Sequence, residues 1–313
     1  MNRFRRGISG RTPRWLRHIA VGAGALALQL ATGASIAEEV HIKHNGLTLN
    51  AELQRAGDGS LSGDVFLITH GGLAHRGTEL IVYLQNLLKE KNHSSLAINL
   101  SLGLDDRHGM YDCAVAHRHR NDHAADEIGI WLNWLREQGA QHVVLLGHSR
   151  GGAQTALFAA EHDDAVTKAI VLLAPATRGN GAESYARRYG NPIEPVLARA
   201  QALVAENKGE TLLQHVGLLN CPDTTATARS FVSYYTNEDR LDAPSLIPRF
   251  KKPALVMIAG GDEVVVNLGD KIASLVDGAR VQTKVIDGSD HFFRDLNADE
   301  AVDAMESFLS GVH

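Results

Sequence analysis

The chain has 313 residues, 44% hydrophobic and 21% charged, with a formal charge of −5 when histidine is neutral. This is an ordinary globular composition, long enough to bury one sizeable core, and its acidic balance argues against nucleic acid as a partner. The first stretch departs from that average. Arg3, Arg5, Arg6, Arg11, Arg14 and Arg17 precede an apolar run at 19–30 and a small-residue segment ending Ala34-Ser35-Ile36-Ala37. A positive segment, a short apolar one and small residues at a peptidase site predict a secretory signal peptide over residues 1–37, cleaved after Ala37. The alternative is an uncleaved N-terminal anchor, and Arg5-Arg6 lacks most of the context of a twin-arginine signal. Losing six arginines and no carboxylate takes the formal charge to about −11. No later run is apolar and long enough to span a bilayer, so an exported protein, periplasmic or secreted, is expected. Cys113 and Cys221 would then meet an oxidising compartment, where a single disulfide is the expectation and two buried thiols the alternative.

Residues 41–54 alternate in hydrophobicity about Asn45-Gly46, which predicts a hairpin. The apolar run at 64–69 reads as a buried strand that feeds the turn His70-Gly71-Gly72. Leu80, Tyr83, Leu84, Leu87 and Leu88 share one face of a helix over 79–91, and a strand is predicted at 95–100. A polar loop runs to about Asn121. Ala125, Ile128, Trp131, Leu132 and Leu135 then mark a helix over 122–137, ended by Gly139. A strand at 142–146, a helix at 151–162 and a strand at 168–173 continue the βαβ rhythm of a parallel sheet. From about 175 to 253 no strand signal appears. Residues 193–207, 210–218 and 223–235 read as helical, so an insertion is expected there, over the loop end of the sheet. The sheet resumes at 254–259 and 280–286, with helices near 268–276 and 296–309.

The strongest local pattern is Gly147-His148-Ser149-Arg150-Gly151-Gly152, set between a predicted strand and a predicted helix. A sharp turn there forces the serine into an unusual backbone conformation, and flanking glycines remove side chains that would clash within it. A serine hydroxyl is a weak nucleophile at neutral pH and needs a base with a group to orient it. His291 follows the last strand and Asp262 the strand before it, so both emerge at the same end of the sheet as Ser149. Glu263 and Asp290 are the rival acids. Backbone N–H groups of Arg150 and Gly72 are candidate oxyanion donors, with Leu73 in place of Gly72 if the turn is shifted by one residue.

Together His70-Gly71-Gly72, Gly147-His148-Ser149-Arg150-Gly151, Asp262 and His291 make the chain resemble the α/β-hydrolase superfamily over about residues 40–313. The resemblance implies an α/β fold, with a mostly parallel eight-stranded sheet flanked by helices. It also implies a Ser149–His291–Asp262 triad and a helical cap at about 176–252, within a hydrolase domain over 38–313. It identifies the superfamily, not the substrate.

The loop from Asp105 through His108, Cys113, His117, His119 and His123 is rich in metal-ligand types, but its spacing fits no common zinc site, and Arg118 and Arg120 disfavour a cation. No metal is expected there; the remaining readings are a rim for a polar or anionic substrate and a solvated loop. Phe231, Tyr234, Tyr235, Trp131 and Trp134 are expected to pack rather than to bind, and Arg187 and Arg188 to be solvated. The function expected is hydrolysis of a small-molecule carboxylic ester or related acyl bond through an acyl-enzyme, with no cofactor. A catalytically silent binding protein of the same fold is the reading from another class.

Overall fold

The computed structural model describes residues 37–178, 181–236 and 239–312; apart from Ala37, the predicted leader lies outside them. The Asn45-Gly46 turn joins β1 (Glu38–His44) to β2 (Leu47–Gln54) as an antiparallel pair. There follow β3 (Asp64–Thr69), α1 (Glu79–Glu90), β4 (Ser94–Asn99), α2 (His123–Glu137), β5 (His142–His148), α3 (Ser149–Glu161) and β6 (Thr167–Leu173). The insertion then contributes α4 (Gly181–Tyr189), α5 (Glu194–Ala205), β7 (Leu212–Leu218), β8 (Cys221–Thr227), α6 (Ala228–Tyr235) and α7 (Ala243–Leu246). The chain closes with β9 (Ala254–Ala259), α8 (Leu268–Ile272), β10 (Val281–Ile286) and α9 (Leu296–Ser310).

Eight strands form one sheet in the order β1-β2-β4-β3-β5-β6-β9-β10, antiparallel at β1/β2/β4 and parallel elsewhere. Alternate residues of the central strands serve the two faces. Phe66, Ile68, Val144 and Leu146 pack with Leu84 and Leu88 of α1 and with Val302, Met305 and Phe308 of α9. Val65, Leu67, Val143 and Leu145 pack with Ile128, Trp131 and Leu135 of α2 and with Ala156 and Leu157 of α3. A strand buried on both faces has no polar register to display, which is why β3, β5 and β6 read as continuous apolar runs.

The insertion differs from the all-helical expectation. Residues 210–218, read as helix, give strand β7, and the helix read at 223–235 begins only at Ala228, because residues 221–227 are strand β8. Leu212, Leu213, Val216 and Leu218 mimic helical spacing because the β7/β8 ladder slips between Leu213 and Val216 and again between Val216 and Leu218. His215 sits at the slip with φ +55°. A bulge of this kind breaks the two-residue period by which a strand is recognised. Among the described residues, no helix is long and apolar enough to cross a membrane.

Candidate active site

Ser149 stands where β5 turns into α3, at φ +55°. That conformation costs a residue with a Cβ of order 1 kcal/mol, and tight packing of glycines holds it. A Cβ on Gly151 would collide with the backbone carbonyl of His70, and one on Gly147 would sit 2.6 Å from the carbonyl of Gly151. These two positions need glycine for the close approach of β3, β5 and α3 at the turn. The Ser149 carbonyl accepts from the Ala176 amide at 2.8 Å, which ties the turn to the start of the insertion.

His291 and Asp262 arrive on loops stitched to one another. The amides of Gly260 and Gly261 donate to the carbonyls of Ile286 and Ser289 at 2.9 and 2.8 Å. Asp262 Oδ1 accepts from the amides of Val264 (2.7 Å) and Val265 (2.9 Å), which leaves Oδ2 to meet His291 Nδ1 at 2.7 Å. His291 Nε2 lies 2.8 Å from Ser149 Oγ. The side chains of His291 and Asp262 are 5% and 4% exposed, so water competes little for this pair. Of the rival acids, Glu263 is exposed, and Asp290 pairs with Arg294 Nη1 at 2.7 Å and accepts the Phe292 amide.

His148, given no role in the sequence reading, braces His291. Its Nε2 donates to the backbone carbonyl of His291 at 2.8 Å, and the two rings lie 5.0 Å apart. Burial first, and then the neighbouring His291, holds the His148 imidazole down to about 4, so it is neutral and keeps this tautomer at neutral pH. A partner 143 residues away in the chain leaves no local sequence signal.

The turn after β3 sits against the serine. A Cβ on Gly71 would be 2.9 Å from Ser149 Cβ, and Gly72 follows at φ +50°. Arg150 is the second residue of α3, where amides have no partner within the helix and the helix dipole favours negative charge. Leu73 is fully buried and its carbonyl accepts the Tyr111 amide. Behind the turn, His70 Nδ1 donates to the Gly71 carbonyl, and Nε2 accepts from the Leu100 amide (3.1 Å) and Arg107 Nη2 (3.2 Å). Burial, then Arg107, depresses His70 to about 3. Arg107 itself is buried, with Nε on the Leu100 carbonyl and Nη1 on that of Gly109.

The histidine-rich loop is taken apart by the fold. His108 is exposed and pairs with Glu39 at 2.6 Å. His117 and His119 are buried, joined Nδ1 to Nε2 at 2.9 Å, and His119 Nδ1 meets Tyr234 Oη at 2.7 Å. Burial pushes His117 down to about 4 and His119 well below its ordinary range. Glu39, His41 and Asp106 bring their ligand atoms within 4.8 Å of one another at the surface, where Glu39 is already paired with Arg76. Phe231 and Trp131 are fully buried, Tyr234 nearly so, and Arg150 lies over the Tyr234 ring at 5.7 Å.

Loop and insertion form one layer. Cys113 and Cys221 are joined by a disulfide with a Cα–Cα separation of 5.5 Å. The His117 amide donates to the Thr225 carbonyl (2.8 Å), the Thr227 amide donates to the His117 carbonyl (2.9 Å), and Thr224 Oγ1 donates to the Cys113 carbonyl (2.7 Å).

A sequence model of the alpha/beta hydrolase family matches residues 65–304, more than half of the chain. Solved structures of similar fold include Est1E from Butyrivibrio proteoclasticus with bound ferulic acid, at 19% identity and TM-score 0.64, covering 86% of this chain and 97% of that one. A monoacylglycerol lipase from Paleococcus ferrophilus is similar at 17% identity and TM-score 0.57, over 84% and 99%. The siderophore hydrolase EstB from Aspergillus fumigatus is similar at 17% identity and TM-score 0.59, over 89% and 98%. No protein of curated function matches the chain by sequence.

Proposed function

Because the chain belongs to the alpha/beta hydrolase family, we propose that it is an exported serine hydrolase that cleaves a small-molecule carboxylic ester, or a related acyl bond, through an acyl-enzyme on Ser149. The observation that carries this reading is the relay of 2.8 Å from Ser149 Oγ to His291 Nε2 and 2.7 Å from His291 Nδ1 to Asp262 Oδ2. These separations lie within the reach a base needs for proton transfer.

Ser149 Oγ attacks the carbonyl carbon while His291 Nε2 takes its proton. Asp262 holds the imidazole with Nδ1–H toward itself and stabilises the imidazolium. The oxyanion forms between the amides of Gly72 and Arg150, at a helix N-terminus that favours negative charge. Collapse of this intermediate breaks the bond to the alcohol oxygen, which receives the proton from His291. Water, deprotonated by His291, attacks the acyl-enzyme in turn, and the acid leaves with Ser149 restored. No cofactor takes part. The insertion over 176–252 acts as the cap, as part of a single hydrolase domain over 38–313. The lipase and the siderophore hydrolase that share the fold support hydrolysis as the class of reaction. The arginine-rich leader and the Cys113–Cys221 bridge support action outside the cytoplasm.

The test is fluorophosphonate labelling of the secreted or periplasmic fraction, beside Ser149→Ala. A labelled band at the mass of residues 38–313, lost in the variant together with about 10⁴-fold or more of the activity on 4-nitrophenyl esters, is expected. Folded protein that takes no label would instead point to a binding protein.

A further inference from the structure

The turn of the β7/β8 hairpin, Leu219-Asn220, is held tightly: Leu219 is buried and Asn220 is exposed. Leu219 has φ +55°, a strained conformation for a leucine. Its amide donates to Tyr235 Oη at 3.1 Å, and its carbonyl accepts from Tyr189 Oη and from Arg188 Nη1, the latter at 2.9 Å. The ring of Tyr189 lies so close over Gly217 that no Cβ fits there. Cys221, the next residue after Asn220, is bonded to Cys113. Strain over-determined by its surroundings marks a place where position matters. What these contacts position is Asn220. It is exposed, and its Nδ2 lies 3.8 Å from where a Cβ on Gly72 would stand, on the turn that touches Ser149.

We infer that Asn220 is a substrate-positioning residue, whose Nδ2 donates to an oxygen substituent on the acyl chain and so favours oxygenated acyl esters. The inference rests on Ser149 as the nucleophile. Gly71 meets Ser149, Gly72 is the next residue along, and Asn220 lies beyond Gly72. Its amide therefore stands on the Gly72 side of the nucleophile, and an oxygen carried on a nearby acyl carbon, the second or third, is the substituent it can meet. A carboxamide presents two donors to such an oxygen. A site that offers a hydrogen bond discriminates against the analogue without the partner atom.

The experiment compares 4-nitrophenyl 3-methoxybutyrate, whose ether oxygen can only accept, with 4-nitrophenyl butyrate on the processed enzyme. Asn220→Ala and the turn-compatible Asn220→Asp, neither of which can donate, are both expected to lose about tenfold in kcat/KM on the methoxy ester, chiefly through KM. On the butyrate both should stay within about twofold. Loss of equal size on the two esters would mean a structural or oxyanion role, and no loss on either would mean no contact; each overturns the proposal. Fluorophosphonate labelling of the wild type at Ser149 separates the two failures, since an unlabelled wild type overturns the serine reading itself.

Discussion

At the residue scale, the relay depends on a group that does not belong to it. His148 donates to the main-chain carbonyl of His291, so removing it frees the loop that carries His291 while leaving the side chains of Ser149, His291 and Asp262 in place. His148→Ala is expected to lower kcat by roughly 10- to 100-fold with a small change in KM, and to slow fluorophosphonate labelling in proportion, since a small misplacement of a base costs on that order. Unchanged labelling would mean that the His291 loop is set by Asp262 and Gly261 alone. That Ser149, His291 and Asp262 meet was legible in the sequence, because each follows a strand whose apolar run is plain, and strand ends share one edge of a parallel sheet. His148 and Asn220 were not. Their partners are main-chain atoms or turns far along the chain, and nothing in a local pattern encodes such a meeting.

At the element scale, the central sheet and its helices follow from periodicity, because β3, β5 and β6 are buried on both faces and α1 and α2 each carry one apolar stripe. The hairpin in the insertion escaped that logic. It buries Leu213, Val216, Leu218 and Ala226 in the core, but its slipped ladder hides the two-residue period, and pairing with residues 113–117 and a covalent link hold it in place. The disulfide joins residues separated by 108 positions, and constraining so long a loop in the unfolded chain contributes up to about 4 kcal/mol. Replacing both cysteines by serine is expected to lower Tm by roughly 10 °C in a calorimetric scan. A Tm unchanged within a degree or two would show that the unfolded chain keeps the loop together without the bond.

At the scale of the whole molecule, the buried imidazoles set the response to acid. Burial holds His70 to about 3 and His117 and His148 to about 4, with His119 well below its ordinary value, against 6.5 for a free imidazole. The unfolded chain binds protons at these positions below pH 6.5 and the folded protein does not. Their contribution to stability is therefore present above pH 6.5 and is lost as the pH falls toward 4. Glu127 opposes them. Burial raises it to about 7 despite its bonds from Ser101, so its contribution is present below 4.5 and is lost as the pH rises through 7. Four imidazoles against one carboxyl leave stability falling as the pH drops from about 6.5 toward 4. The urea midpoint is expected to be clearly lower at pH 5.5 than at pH 7.5, and the drop to be larger in Glu127→Gln. Equal midpoints at the two pH values would mean that these histidines accept protons within the fold.

The bridge between Cys113 and Cys221 also decides what a protease can do to this molecule. Ser149 lies inside the closed loop of chain, and Asp262 and His291 lie beyond it. A single cut at the exposed pair Arg187-Arg188 separates the serine from its base along the backbone, yet the two pieces remain one covalent body across the sulfur bond. Such a nicked protein runs as a single band until a thiol reductant is added, and only then divides into one fragment that bears the serine and another that bears the histidine and its acid.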